Sequence, residues 1–154
     1  MTEAGFRDLN SGLEPQALAE RVRDGMCERD HTLKGLGITV RAVGPGRADL
    51  SMTVRENMLN GFQICHGGFI TVLADSAFAY ACNSYNEQTV ASGISVDFMA
   101  PGLPGDVLNA QARELFLAGR TGVYDVSVTN QKGELIAMMR GKSYRLKGRA
   151  VVEL

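Results

Sequence analysis

From Ile38 to Arg55 apolar and polar residues alternate with period two, Ala48, Leu50, Met52 and Val54 falling on one side, and Gly44-Pro45-Gly46 divides the stretch. This predicts two strands joined by a tight turn. The period then changes. The run from Gly67 to Tyr85 is apolar almost all round, apart from Asp75 and Ser76, and predicts a helix buried on most of its sides. Upstream, "PQALAERVRDGMCER" (15–29) repeats Leu18, Val22 and Met26 four apart, with Arg and Glu opposite. A narrow amphipathic helix fits, lying over an edge of something larger. Downstream come only strands, "ASGISVDFMAP", "VLNAQARELFLAG", "VYDVSVTN" and "LIAMMRGKSYRL", separated by the turns "PGLPGD", "GRTG" and "QKGE". Consecutive turns of this kind predict an antiparallel meander.

These elements define an α+β domain in which an antiparallel sheet of five to six strands curls around one long central helix. A single helix covers only one face of such a sheet and leaves an outer strand unpaired, so self-association is expected. No repeat, low-complexity tract or Pro/Ser-rich linker interrupts the chain, and residues 1–154 read as a single domain with 1–34 a helical N-terminal extension.

Composition narrows the function. The 154 residues suffice for one domain with a real core. A net charge of -1 supplies no long-range field to gather nucleic acid, so any anionic ligand must be met by local cations. Cys27, Cys65 and Cys82 are an odd number at irregular spacing, and no basic segment leads into an apolar one at the start. Both point to a reducing cytosol. The longest apolar run, Phe69 to Cys82, falls short of the roughly 20 residues a membrane-spanning helix needs. The two histidines, His31 and His66, make no zinc-ligand spacing with each other or with the cysteines, and no metal is expected. "GPGRAD" and "GLGITV" lack the strand-to-helix context of a dinucleotide fingerprint and read as turns. Cys65 adjoins His66, but sequence neighbours do not normally face one another, so Cys65 reads as a structural thiol.

His66-Gly67-Gly68 stands where a loop becomes the buried helix. The first N–H groups of a helix lack intrahelical partners, and its dipole favours negative charge there. The tripeptide is therefore either an oxyanion site, with glycines admitting an acyl group, or a plain helix cap with glycines for packing. Asp75 is an acid on an apolar helix, which implies either a satisfied structural hydrogen bond or a working carboxylate. Eight positions separate it from Gly67, about 12 Å along the axis and roughly 80° around it. Both cannot touch one carbonyl carbon from the same helix. If they cooperate, they come from two subunits with antiparallel helices about a two-fold axis.

The stretches "NGFQICHGGFITVLADSAFAYACNSYN", "ASGISVDFMAPGLPGD" and "GRTGVYDVSVTNQKGELIA" resemble the hotdog-fold acyl-CoA thioesterases, most closely the phenylacetate-degradation subgroup. The resemblance covers roughly residues 35–146, with Asn60, His66, Gly67 and Asp75 in matching spacing. It implies a sheet wrapped around the helix, a homodimer with a continuous sheet and an active site at its interface, and a homotetramer of two dimers. It further implies that Asp75 is the catalytic carboxylate, as nucleophile or as general base. Gly67 would polarise the thioester carbonyl, Asn60 would hold the water or the carboxylate, and His66 would shape the adjoining loop. Ser95 corresponds to a serine that some relatives place near the acid, and Gly68 would line the bound acyl group. A branch with Glu on the helix carries Thr one turn later; here that position is Ala79, so the Asp branch fits.

The implied reaction is hydrolysis of aryl-acetyl-CoA, phenylacetyl-CoA or a ring-hydroxylated relative, to free acid and CoA. Coenzyme A is part of the substrate and no separate cofactor is implied. Arg120, Arg140 and Lys142 are charge-based candidates for its phosphates. Met58, Phe62, Phe69, Phe78 and Tyr80 are candidates for an aryl pocket or for the core. Two alternatives stay open: a hotdog enoyl-CoA hydratase using His66 with Asp75, and a non-catalytic acyl-CoA-binding protein.

Overall fold

The computed structural model describes residues 12–154; the first eleven residues of the expected N-terminal extension lie outside the described residues. Pro15 starts α1 (Pro15–Arg29), where its missing N–H costs no hydrogen bond. The apolar stripe of α1 buries Leu18, Ala19 and Val22, and Gln16 Nε2 donates to the Val43 carbonyl at 2.9 Å. The helix therefore lies over a sheet edge, as its narrow stripe implies. Asp30 caps the short α2 (His31–Leu36), its Oδ1 accepting from Leu33 N at 3.0 Å.

Six antiparallel strands form one sheet: β1 (Thr39–Gly44), β2 (Arg47–Thr53), β3 (Thr89–Phe98), β4 (Val107–Ala118), β5 (Thr121–Thr129) and β6 (Leu135–Arg145), in the spatial order β1-β2-β4-β5-β6-β3. The central helix α3 (Gly67–Cys82) packs against the sheet and falls between β2 and β3 in sequence. One expectation fails here. β4, β5 and β6 form a meander, but β3 pairs with β6 and not with its successor β4, which pairs with β2. The turn residues 101–106 carry the chain back across the sheet. Turn chemistry marks where a strand ends and says nothing about which strand it joins.

The period-two reading of β2 holds: Ala48, Leu50, Met52 and Val54 are all buried. With Leu108, Ala110, Tyr124, Val126 and Met139 they enclose Ile70, Leu73, Ala74, Ala77 and Phe78 of α3. Gly141 on β6 lets this close up, because a Cβ there would lie 2.9 Å from the Phe78 ring.

Helix α3 stops at Cys82 rather than Tyr85 because Asn83 turns its side chain to the chain beyond. Asn83 Oδ1 accepts from Thr89 N at 2.9 Å, while Nδ2 donates to the Ala79 and Thr89 carbonyls at 2.9 and 3.0 Å. These bonds tie the end of α3 to the start of β3. Asn83→Ala is expected to lower the unfolding free energy by about 2–3 kcal/mol, read as a reduced urea midpoint at unchanged slope.

The two sheet edges differ. β1 is flanked by α1, whereas β3 is uncovered along almost its whole length. Val90, Ile94 and Phe98 on it are 44%, 46% and 53% exposed. Apolar residues on an open edge strand favour pairing with another strand.

Candidate active site

The site is organised by the loop leading into α3. Asn60 folds that loop: its N–H donates to the Ile64 carbonyl at 2.8 Å, and its Oδ1 accepts from Phe62 N at 2.9 Å. Gln63 takes a left-handed φ of 61° to complete the turn. The Asn60 Nδ2 group donates to no acceptor among the described residues and is free to hold a ligand or a carboxylate.

His66 caps α3. Its Nδ1 accepts from Gly68 N at 2.9 Å, which puts the lone pair on Nδ1 and any ring proton of the neutral form on Nε2. The His66 carbonyl accepts from Phe69 N at 3.0 Å. With Gly68 and Phe69 so occupied, the Gly67 N–H is left without an acceptor among the described residues. It points out of the first turn of the 16-residue helix, where the dipole favours developing negative charge. The two readings of the tripeptide thus coexist: His66 and Gly68 make the cap, and Gly67 keeps a free donor.

The space above Gly67 is not open. A Cβ there would lie 2.8 Å from the tip of the Phe98 ring on β3. The glycine is needed for this close approach of the protein itself. Sequence reasoning missed this contact, since in "VDFMAP" Phe98 looks like ordinary strand filling.

Asp75 sits on the side of α3 that its own sheet leaves uncovered, together with Thr71, Val72, Ser76 and Ala79. It is half-buried rather than enclosed. Burial pushes its carboxyl up from the usual carboxylate range, and among the described residues no hydrogen bond or charge offsets this. A structural hydrogen bond to those residues is therefore excluded as the reason for an acid at this position. Gly67 and Asp75 remain two turns apart on one straight helix, about 12 Å.

Elsewhere the placements diverge. Ser95, Arg140 and Lys142 line a groove of about 560 Å³ with Asp97, Asp125 and Met138. Arg140, Lys142 and Asp125 alternate with the buried Met139, Gly141 and Val126, so the groove lies on the sheet face turned away from α3. There Arg140 is held by Asp125 through two bonds of 2.7 and 2.9 Å. Arg120 is at the β4–β5 turn, where it donates to Tyr144 Oη at 3.2 Å. The structure brings Asn60, His66, Gly67 and Gly68 together, and separates them from all four of these residues. Of the aryl-pocket candidates, Met58, Phe78 and Tyr80 are core, Phe69 is half-buried and Phe62 is exposed. Cys65 is buried and its thiol is pushed up by burial, as befits a structural residue.

Within a sheet curled around it, α3 thus carries at its start an N–H without an acceptor and at its middle an acid without a partner, both among the described residues. Residues 62–137 match the family model described as "Thioesterase superfamily". The chain is 47% identical over 123 residues to the acyl-coenzyme A thioesterase PaaI of Escherichia coli K12, covering 80% of this chain and 88% of that one. It superposes on the structure of the E. coli PaaI protein from the phenylacetic acid degradation operon with a TM-score of 0.87 at 43% identity, covering 88% of this chain and 99% of that one. The TT0310 protein of Thermus thermophilus gives a TM-score of 0.74 at 38% identity, covering 77% and 99%. The chain belongs to the thioesterase superfamily and is a hotdog-fold thioester hydrolase.

Proposed function

We propose that the protein hydrolyses aryl-acetyl-CoA thioesters, phenylacetyl-CoA or its ring-hydroxylated relatives, in phenylacetate breakdown in the cytosol. The active site is split between two protomers. The observation that carries this reading is the half-buried Asp75 carboxylate, left without a partner among the described residues of its own chain. The relative's acyl-CoA activity and its place in phenylacetic acid degradation supply the substrate class.

The exposed apolar edge of β3 pairs with its equivalent in a second copy, giving a homodimer with one continuous sheet, and two dimers form the tetramer. Antiparallel α3 helices then bring Gly67 of one protomer to Asp75 of the other. The Gly67 N–H and the helix dipole polarise the thioester carbonyl. Asp75 attacks the carbonyl carbon or takes the proton of an attacking water held by Asn60. On the first route a C–O bond forms between Asp75 and the acyl carbon, the C–S bond breaks, and water then hydrolyses the mixed anhydride, releasing the acid and restoring Asp75. On the second the water oxygen forms the C–O bond as the C–S bond breaks. On both, the proton given up by water ends on the departing CoA thiolate. Thioesters are activated acyl donors, so a carboxylate and an oxyanion donor are enough without a serine triad. In the outer groove Lys142 is the cation left uncommitted once Arg140 is held by Asp125, and it is the better candidate there for a CoA phosphate.

The test is release of free thiol from short, branched, long-chain and aryl-acetyl CoA thioesters, with aryl-acetyl-CoA turned over fastest. Retained binding with no release from any of them would remove the hydrolase reading. The pH dependence follows from Asp75. The reaction needs the ionised carboxylate, which burial pushes up from the ordinary carboxylate range, so kcat/KM should fall as pH drops, with its inflection on the high side of that range. Stability has the opposite sign. A raised pKa in the folded state means that the stability it contributes is full below the unfolded pKa and lost as pH rises through the folded one. Asp75→Asn should therefore raise the thermal midpoint at neutral pH, the gap closing in acid.

A further inference from the structure

We propose that Phe98 is a substrate-contact residue, its ring forming the wall against which the thioester lies when its carbonyl oxygen accepts from the Gly67 N–H. This rests on the hydrolase reading above and adds a residue to it.

Three observations carry the assignment. Phe98 pairs with Ala137 of β6, which is buried, so both side chains stand on the sheet face that holds α3. Its ring tip fills the gap at Gly67: the three ring atoms Cζ, Cε1 and Cε2 lie 2.8, 3.2 and 3.3 Å from where a Cβ would stand. Yet the residue is 53% exposed, so the remainder of the ring is not used by its own protomer. Phe98 lies on the edge strand that meets the second copy, so the part of its ring left open by its own protomer faces the site shared between them, beside a dipole-assisted N–H without an acceptor among the described residues: one orienting polar group set in an apolar wall. Ile94, four residues earlier on the same strand, extends the apolar surface.

The wall has two consequences. It excludes water from one side of the carbonyl, and it limits the angle at which the thioester meets its donor. A displaced thioester loses rate more than affinity, because the donor is aimed at the oxygen of the transition state. Gly67 also acquires a second reason to be glycine. Gly67→Ala keeps the N–H but drives its Cβ into the Phe98 ring.

The experiment compares steady-state hydrolysis of phenylacetyl-CoA by wild type, Phe98→Ala, Phe98→Leu, Gly67→Ala and Gly67→Ala/Phe98→Leu, with assembly mass and thermal midpoint recorded for each. Phe98→Ala is expected to lower kcat/KM by about 10–100-fold, mostly through kcat, with Phe98→Leu between it and wild type. Gly67→Ala should lower kcat by about tenfold, and Phe98→Leu in that background should raise it toward the level of Phe98→Leu alone. If Phe98→Ala no longer assembles, Phe98→Leu carries the test, a several-fold loss in kcat being the expected result. Values of kcat and KM within twofold of wild type in the assembled variant overturn the proposal, as does a double variant no faster than Gly67→Ala alone. Failure of the hydrolase reading itself looks different: wild type would release no thiol.

Discussion

Asp75→Asn is expected to lower kcat for aryl-acetyl-CoA by about 10²–10⁴-fold while leaving the fold and the assembly intact. The swap preserves volume and removes only the charge and basicity. Nothing described in the protomer depends on that charge, because the carboxylate makes no hydrogen bond or ion pair among the described residues and burial opposes its ionisation. An acid whose ionisation burial opposes, and which has no structural partner among the described residues, is what the proposed role in the reaction would explain. The variant should therefore be slower and more stable together. Steady-state kinetics paired with thermal unfolding at neutral pH reads both. A near-normal kcat would remove Asp75 from the chemistry.

Gly67→Pro is the second large effect, with an expected loss of about 10²–10³-fold in kcat, the range for removing one oxyanion donor. The substitution suits the backbone. Gly67 is the first residue of α3, where proline is favoured and its absent N–H breaks no helix bond. His66 already has φ -60° and ψ 132°, the extended conformation a following proline demands. Gly67→Ala is the control, since it shares the contact with Phe98 but keeps the N–H. Circular dichroism should report an unchanged helix, and the proline variant should be at least tenfold slower than the alanine one if the N–H is the group that matters.

Much of this was legible in the sequence because the information is local. The alternation through Ala48, Leu50, Met52 and Val54 reflects one buried strand face, and the run after Gly67 reflects a helix enclosed by a sheet. Asn60, His66, Gly67 and Asp75 fall within one short segment, so loop, helix start and acid could be read together. What escaped depends on partners distant in the chain. The end of α3 is decided by Asn83 bonding to Thr89, beyond the helix itself. The place of β3 beside β6 follows from the crossing around α3, which no turn signal records. Arg140 looks like a free cation until Asp125, on the neighbouring strand, is seen to hold it. Phe98 looks like strand filling until its ring is found over Gly67.

The same limit applies to the proposed two-protomer site, since α3 fixes the separation of Gly67 and Asp75 but cannot supply a second helix. The most direct measurement is complementation between two inactive chains. Asp75→Asn and Gly67→Pro, differently tagged and co-expressed, give mixed assemblies in which a site built from Gly67 of one chain and Asp75 of the other is intact. With random pairing, the account predicts recovery of about a quarter of wild-type activity from two parents that are each nearly dead. Mixed assemblies isolated through both tags, yet as inactive as their parents, would contradict a site divided between protomers.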